Sequence, residues 1–179
     1  MKRSLPSLCA LAGIASLFVA APAFALDGYR DRAGIFYGGG LGFGAGKPDT
    51  KGAETKATFN AHGRVGGGIT SNLTLDFDLG LGMQLGKSTS LQTGFVGLNL
   101  FPAGDLYLRV MGGIAHASVD DSTGQGGGGA TGMGAGLGLG YEFFANADMA
   151  VGIGVDYQHH FYDRFDFSLL NFGLTFLVY

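Results

Sequence analysis

The stretch Leu73–Leu85, L-T-L-D-F-D-L-G-L-G-M-Q-L, restricts the possible folds more than any other part of the chain. Its odd positions, Leu73, Leu75, Phe77, Leu79, Leu81, Met83 and Leu85, are large and apolar. Its even positions, Thr74, Asp76, Asp78, Gly80, Gly82 and Gln84, are polar or glycine. Successive side chains leave a strand on opposite sides, so this pattern predicts one strand with two unlike faces. At about 3.3 Å per residue the run reaches roughly 40 Å, or about 30 Å when tilted near 45°. A membrane-crossing strand needs about 9–11 residues, and a soluble strand averages about 5–6. The run is long enough to cross a bilayer.

Seven further segments are expected as strands: Ile35–Ala45, Ala57–Ile69, Thr89–Phe101, Leu106–Ser118, Ala130–Phe143, Met149–His160 and Ser168–Tyr179. Most alternate cleanly. In Thr89–Phe101, Leu91 and Phe95 fall out of phase with Val96, Leu98 and Leu100, which a β-bulge would explain. Short turns (70–72, 102–105, 145–148) alternate with longer polar loops (47–56, 119–129, 161–166), with residues 86–88 a short exception. An even strand number with this asymmetry is the pattern of a transmembrane barrel, whose short turns face the periplasm. Aromatic residues near the turns (Tyr37, Phe101, Tyr141, Phe143, Phe144, Tyr179) and near the loops (Phe43, Phe59, Phe161, Tyr162, Phe165) are expected to form interfacial girdles.

Alternation also fits a soluble barrel with an apolar interior. The polar face argues against that. It is mostly glycine with sparse Asp, Arg, His and Asn, whereas a water-facing surface is normally crowded with Lys and Glu. The narrow interior of an eight-stranded barrel needs small side chains. The chain holds 35 glycines and only 14% charged residues. The apolar face of the strands whose phase is clear carries no Lys, Arg, Asp or Glu, as expected where a cation at the bilayer midplane costs about 2–4 kcal/mol. The expected fold is an all-β, eight-stranded antiparallel up-and-down transmembrane β-barrel.

Lys2 and Arg3, the apolar run Leu8–Ala20 and the small-x-small site Ala23-Phe24-Ala25 predict a signal peptide over 1–25, cleaved after Ala25. The barrel domain then spans 26–179, exported to the cell outer membrane, with the polar residues Leu26–Ala33 as a short periplasmic lead-in. The single cysteine, Cys9, falls in the leader. The mature chain therefore has no disulfide, thiol nucleophile or cysteine metal site. Without Lys2 and Arg3, 9 basic residues face 14 acidic ones, a net charge of −5, which argues against a nucleic-acid partner.

Asn171-Phe172-Gly173-Leu174-Thr175-Phe176-Leu177-Val178-Tyr179 resembles the C-terminal signal by which outer-membrane barrels are recognised for assembly. Asn171, Gly173, Phe176, Val178 and Tyr179 would carry it. The usual motif ends on an aromatic residue; here Val178 takes that slot and Tyr179 lies one beyond. Tyr37-Gly38-Gly39-Gly40-Leu41-Gly42 and Gly136-Leu137-Gly138-Leu139-Gly140-Tyr141-Glu142 are similar to strands of the OmpA/OmpX-like and opacity-protein families of outer-membrane barrels. The resemblance covers the whole mature chain and implies a small porin-like barrel with both ends in the periplasm. It implies no particular function.

The inward face is expected to collect His62, Arg64, Asp76, Asp78, Arg109, Glu142, Asp156 and His160. Interior charges must be paired or hydrated, so these residues predict a polar network that plugs the lumen. The alternative is a narrow channel for small solutes. His116-Ala117-Ser118 resembles the His-x-Ser of outer-membrane lipid A deacylases, but those enzymes carry it in the last hairpin, where this chain has Asp156-Tyr157-Gln158. A lipid-modifying enzyme is thus a remote alternative. His159 and His160 are adjacent and point to opposite faces, so they do not share a metal. Gly86-Lys87-Ser88 lacks the earlier glycine and the helix of a phosphate loop. No catalytic, cofactor or metal site is expected. The expected role is structural or surface-interacting, with outer-membrane lipid, lipopolysaccharide and the assembly machinery as partners, and loops 47–56, 119–129 and 161–166 as a surface for a ligand.

Overall fold

The computed structural model describes residues 32–86, 89–119, 128–146 and 148–179. The expected leader with its cleavage site, and most of the 119–129 loop, lie outside the described residues. Eight strands are present among those described: β1 (Ile35–Pro48), β2 (Lys56–Thr70), β3 (Leu73–Gln84), β4 (Thr89–Ala103), β5 (Leu106–Val119), β6 (Gly128–Phe144), β7 (Met149–Phe161) and β8 (Asp166–Val178). Each pairs antiparallel with the next, and β1 pairs with β8, so the sheet closes on itself. Closure removes the unpaired edges that an open sheet would expose to hydrocarbon. One rim carries the described residues 49–55, 85–86 and 162–165 (the loop end). The other carries the tight turns at 71–72 and 104–105 and residues 145, 146 and 148, together with Arg32 and Tyr179 (the turn end).

The barrel is apolar outside and polar within. Leu79 is 58% and Phe43 65% exposed, while Arg64, Asp76 and Arg109 are buried. No helix of the described residues is long and apolar enough to cross a membrane. The interior packs by pairing large with small across neighbouring strands. His62 sits between Gly40 and Gly80, and Asn60 between Gly42 and Gly82. Arg109 is opposite Gly138, and Tyr107 opposite Gly140. A Cβ on Gly97 would stand 2.7 Å from Arg109 Nη2 and 2.8 Å from Asp76 Oδ1. The inward glycines are the floors on which neighbouring side chains lie.

Three expectations need correction. First, no bulge displaces Leu91 or Phe95. The β3–β4 register runs unbroken from Leu73↔Leu100 to Gln84↔Thr89, and the β4–β5 shift comes only between Leu100 and Ala103. Phe95 instead points inward and is 2% exposed, because part of the interior is apolar. Second, the terminal aromatics do not all form girdles. Tyr37, Tyr141, Phe143, Phe43 and Phe161 face outward, but Phe101 and Tyr162 are buried, and the Tyr179 ring packs on Phe36 and Phe144, each with centroids 5.2 Å apart. Third, Arg32, expected in the periplasmic lead-in, is buried in the turn end of the barrel, while residues 26–31 of that lead-in lie outside the described residues.

These inward aromatics divide the lumen into layers. At the loop end Ala115, Ala117, Tyr162, Phe167 and Leu169 form an apolar cluster, joined by Leu91, Ala130 and Phe165. At the turn end Phe36, Ala150 and Leu177 form another, with Phe144 and Tyr179 against it. The polar residues lie between.

Candidate functional site: the barrel lumen

Strand alternation points Arg64 of β2, Asp76 and Asp78 of β3 and Arg109 of β5 to the axis, and the β2–β3 register sets Arg64 directly opposite Asp78. Arg109 Nη2 donates to Asp76 Oδ1 at 2.6 Å and to Asp78 Oδ2 at 3.1 Å. Arg64 Nε lies 3.8 Å from Asp76 Oδ1 and 3.6 Å from Asp78 Oδ2. Asn99 Nδ2 completes the Asp76 shell, donating to Oδ2 at 2.6 Å and to Thr74 Oγ1 at 3.0 Å. Two guanidinium groups face two carboxylates, so the quartet is formally neutral. Neutrality matters because an uncompensated ion in this setting costs several kcal/mol.

A second chain of polar groups crosses the far wall. Asn60 Nδ2 donates to Asn171 Oδ1 at 2.6 Å, Asn171 Nδ2 to Asp156 Oδ2 at 3.1 Å, and Gln158 Nε2 to Asp156 Oδ1 at 2.6 Å. Between this chain and the quartet lies a cavity of about 70 Å³, room for a few water molecules. His62, Arg64, Asp78, Arg109 and Asp156 line it, with Phe95 and Leu169 toward the loop end and Tyr107 toward the turn end.

Two residues expected in this network sit elsewhere. Glu142 belongs to the turn end, where its Oε1 accepts from Arg32 Nε at 3.1 Å and from the Tyr179 hydroxyl at 2.8 Å. Arg32 also donates to the Gly104 carbonyl at 3.2 Å, reaches Asp105 Oδ1 at 3.2 Å, and lies 3.9 Å over the Phe101 ring. The two ends of the described chain thus meet on one carboxylate. Sequence reasoning missed Arg32; beside Arg30 and Asp31 in a short polar segment, it has no period to single it out. His160 is the other exception. It is fully buried among Phe95, Tyr162 and Phe167 rather than among charges.

Of the other residues singled out, His116 Nδ1 is 2.8 Å from Thr131 Oγ1 and Ser118 Oγ is 2.7 Å from Ser90 Oγ, so each is bonded to a different neighbour. His159 faces outward, with Nδ1 2.9 Å from Ser168 Oγ, while His160 faces inward. In β8, Asn171 and Gly173 face the axis, Phe176 is exposed on the outer face, and Val178 pairs with Tyr37 and Met149. Tyr179 turns inward to Glu142.

A closed barrel that is apolar outside and, among the described residues, carries charge only within and at its rims is a small transmembrane β-barrel. The sequence matches the outer membrane protein beta-barrel domain over residues 9–176. The chain belongs to that family and is a β-barrel protein of the outer membrane. Its fold is similar to that of Neisserial surface protein A (NspA), with a TM-score of 0.67 at 16% identity, covering 81% of this chain and 98% of that one. It is also similar to Ail, the attachment invasion locus protein of Yersinia pestis, with a TM-score of 0.60 at 12% identity, covering 80% and 99%. Ail in complex with the heparin analogue sucrose octasulfate gives 0.57 at 12% identity, again covering 80% and 99%. At such identities the likeness concerns the fold. The sequence matches no curated protein.

Proposed function

We propose that this chain is a non-enzymatic structural or surface-interaction barrel whose lumen is plugged at neutral pH. The observation that carries the reading is the filled interior. The ion quartet and the Asn60–Asn171–Asp156–Gln158 chain leave a cavity of about 70 Å³, and aromatic residues pack above and below it. In this reading residues 1–25 are the cleaved leader, and the short turns face the periplasm. Asn171, Gly173, Phe176, Val178 and Tyr179 are offered to the assembly machinery. The outer wall meets lipid and lipopolysaccharide. Loops 47–56, 119–129 and 161–166 are the contact surface. The first of these bears Lys47, Lys51 and Lys56, and the complex of Ail with a sulfated sugar makes polyanions a sensible first ligand to try. The separation of His116 from Ser118, each bonded elsewhere, gives no support to a lipid-modifying enzyme.

Planar-bilayer recording on the purified protein at neutral pH tests the reading. A silent membrane is expected. Stable openings that are altered in Arg64→Ala or Arg109→Ala protein would replace it with the narrow-channel reading.

A further inference from the structure

Among the described residues of the loop-end cluster His160 is the group that can become a cation, and its surroundings are unusual for an imidazole. Phe95 stacks on it with centroids 5.9 Å apart, Tyr162 stacks at 6.3 Å with planes 7° apart, and Phe167 tilts against it at 6.1 Å. Neither ring nitrogen has a hydrogen-bond partner among the described residues, nor does the Tyr162 hydroxyl. Of the side chains that are ordinarily neutral at pH 7, imidazole is the one that gains a proton just below it. A neutral ring fits this cage. A charged one does not, because no carboxylate faces it there to offset the loss of water.

The groups around the cage are few. β4 contributes Phe95, β6 contributes Gly134, β8 contributes Phe167, and the turn after β7 contributes Tyr162. Burial pushes the Tyr162 hydroxyl up to about 12, so it carries no charge in acid. On its own strand His159 points outward to Ser168 and to Asp166, 3.7 Å away. Of the lumen carboxylates, Asp78 is in register with Phe95 but is held by Arg109, and Asp156 is held by Gln158 and Asn171.

Tyr162 and Phe165, with centroids 4.9 Å apart, close the β7–β8 turn, where the Tyr162 N–H donates to the Phe165 carbonyl at 3.2 Å. This is the smallest piece of the cluster that can move without breaking a strand pair. We propose that His160 is the trigger of an acid-operated cap: protonation sets a cation without a counter-ion among Phe95, Tyr162 and Phe167, the 162–165 turn swings outward, and the polar cavity beneath becomes accessible from the loop end. The added activity is access to a site lined by Arg64, Asp78 and Asp156 that suits a small polar solute. The cap rests on the closed-lumen reading. The Arg32–Glu142 pair still closes the turn end, so access and not conduction is the readout.

The chain contains no tryptophan, so Phe165→Trp places a single fluorescent reporter on the cap. In vesicles, acrylamide quenching of that reporter is compared at about pH 7 and about pH 3, a range that reaches well below the ordinary titration of imidazole. The quenching constant is expected to rise at least about twofold in acid, and to stay flat when His160→Phe or His160→Gln is added. No rise with His160 present overturns the cap. An equal rise in the His160 variants, whether from another group or from unfolding, overturns it too. Conductance at neutral pH is read separately: openings there sink the closed-lumen reading, whereas a silent membrane with unchanged quenching sinks only the cap.

Discussion

Replacing Arg109 by methionine tests whether the lumen quartet acts as one unit. Methionine keeps most of the aliphatic stem and removes the guanidinium, which lies 2.6 Å from Asp76 and 3.1 Å from Asp78. At an effective dielectric near 20, a pair about 4 Å apart gains about 4 kcal/mol before desolvation is subtracted. The net loss on deleting one member of a buried pair is about 3–5 kcal/mol, because the partner is left charged and unpaired. Arg64, at 3.6 and 3.8 Å, does not replace it without moving. Arg109→Met should therefore lower stability by about 3–5 kcal/mol. The variant Arg64→Met/Asp76→Asn/Asp78→Asn/Arg109→Met removes all four charges together. It should lose much less than the sum of its single changes, since no ion is stranded. Urea titration of protein refolded into lipid vesicles, followed by circular dichroism and by the heat-dependent shift in gel mobility, reads both. A loss below about 1 kcal/mol in Arg109→Met, or additive losses in the fourfold variant, would refute the reasoning.

The outer face gives a second test. Leu79→Arg puts a cation near mid-height on the lipid side and should cost about 2–4 kcal/mol, while Leu79→Ile should change little. The folded fraction after refolding into vesicles, read from gel mobility, decides; equal folding of the two would mean that Leu79 meets water. Two glycines give a third. Gly97→Ala drives a methyl group to within 2.7–2.8 Å of Arg109 and Asp76 and should cost about 1–3 kcal/mol, as overpacking does. Gly63→Ala faces outward with only the Gly38 carbonyl 4.0 Å away and should be tolerated in the same urea titration. Similar losses at both positions would contradict the large-against-small packing of the lumen.

Strand period alone made the eight strands and their faces legible, because a membrane barrel enforces one polarity on each side along every strand. The same rule misread Leu91 and Phe95. It sorts residues by side and not by height, and height is where the lumen changes from polar to apolar. Height is fixed by register, which joins residues far apart in sequence: Arg32 meets Glu142 across 110 positions, and Asn60 meets Asn171 across 111. His160 could be placed inward by its parity, but its cage is assembled from β4, β8 and a turn. Glu142 had the right parity and the wrong neighbours for the same reason.

Some of that register was nonetheless written in the glycines. A slip of one residue would turn each apolar face inward and is excluded by parity. A slip of two keeps the faces, so something finer must forbid it. The glycine run of β6, at 132, 134, 136, 138 and 140, would accept such a slip, since every inward position offers the same floor. β4 would not. Asp76 is opposite Gly97, and Asp78 opposite Phe95. Moving β4 by two residues sets Asp76 against either Phe95 or Asn99, and Arg109 of β5 loses the only floor on which it reaches both carboxylates. The isolated glycine among larger inward residues, Gly97 more than the long glycine runs, is therefore the position that fixes where the charges of neighbouring strands meet.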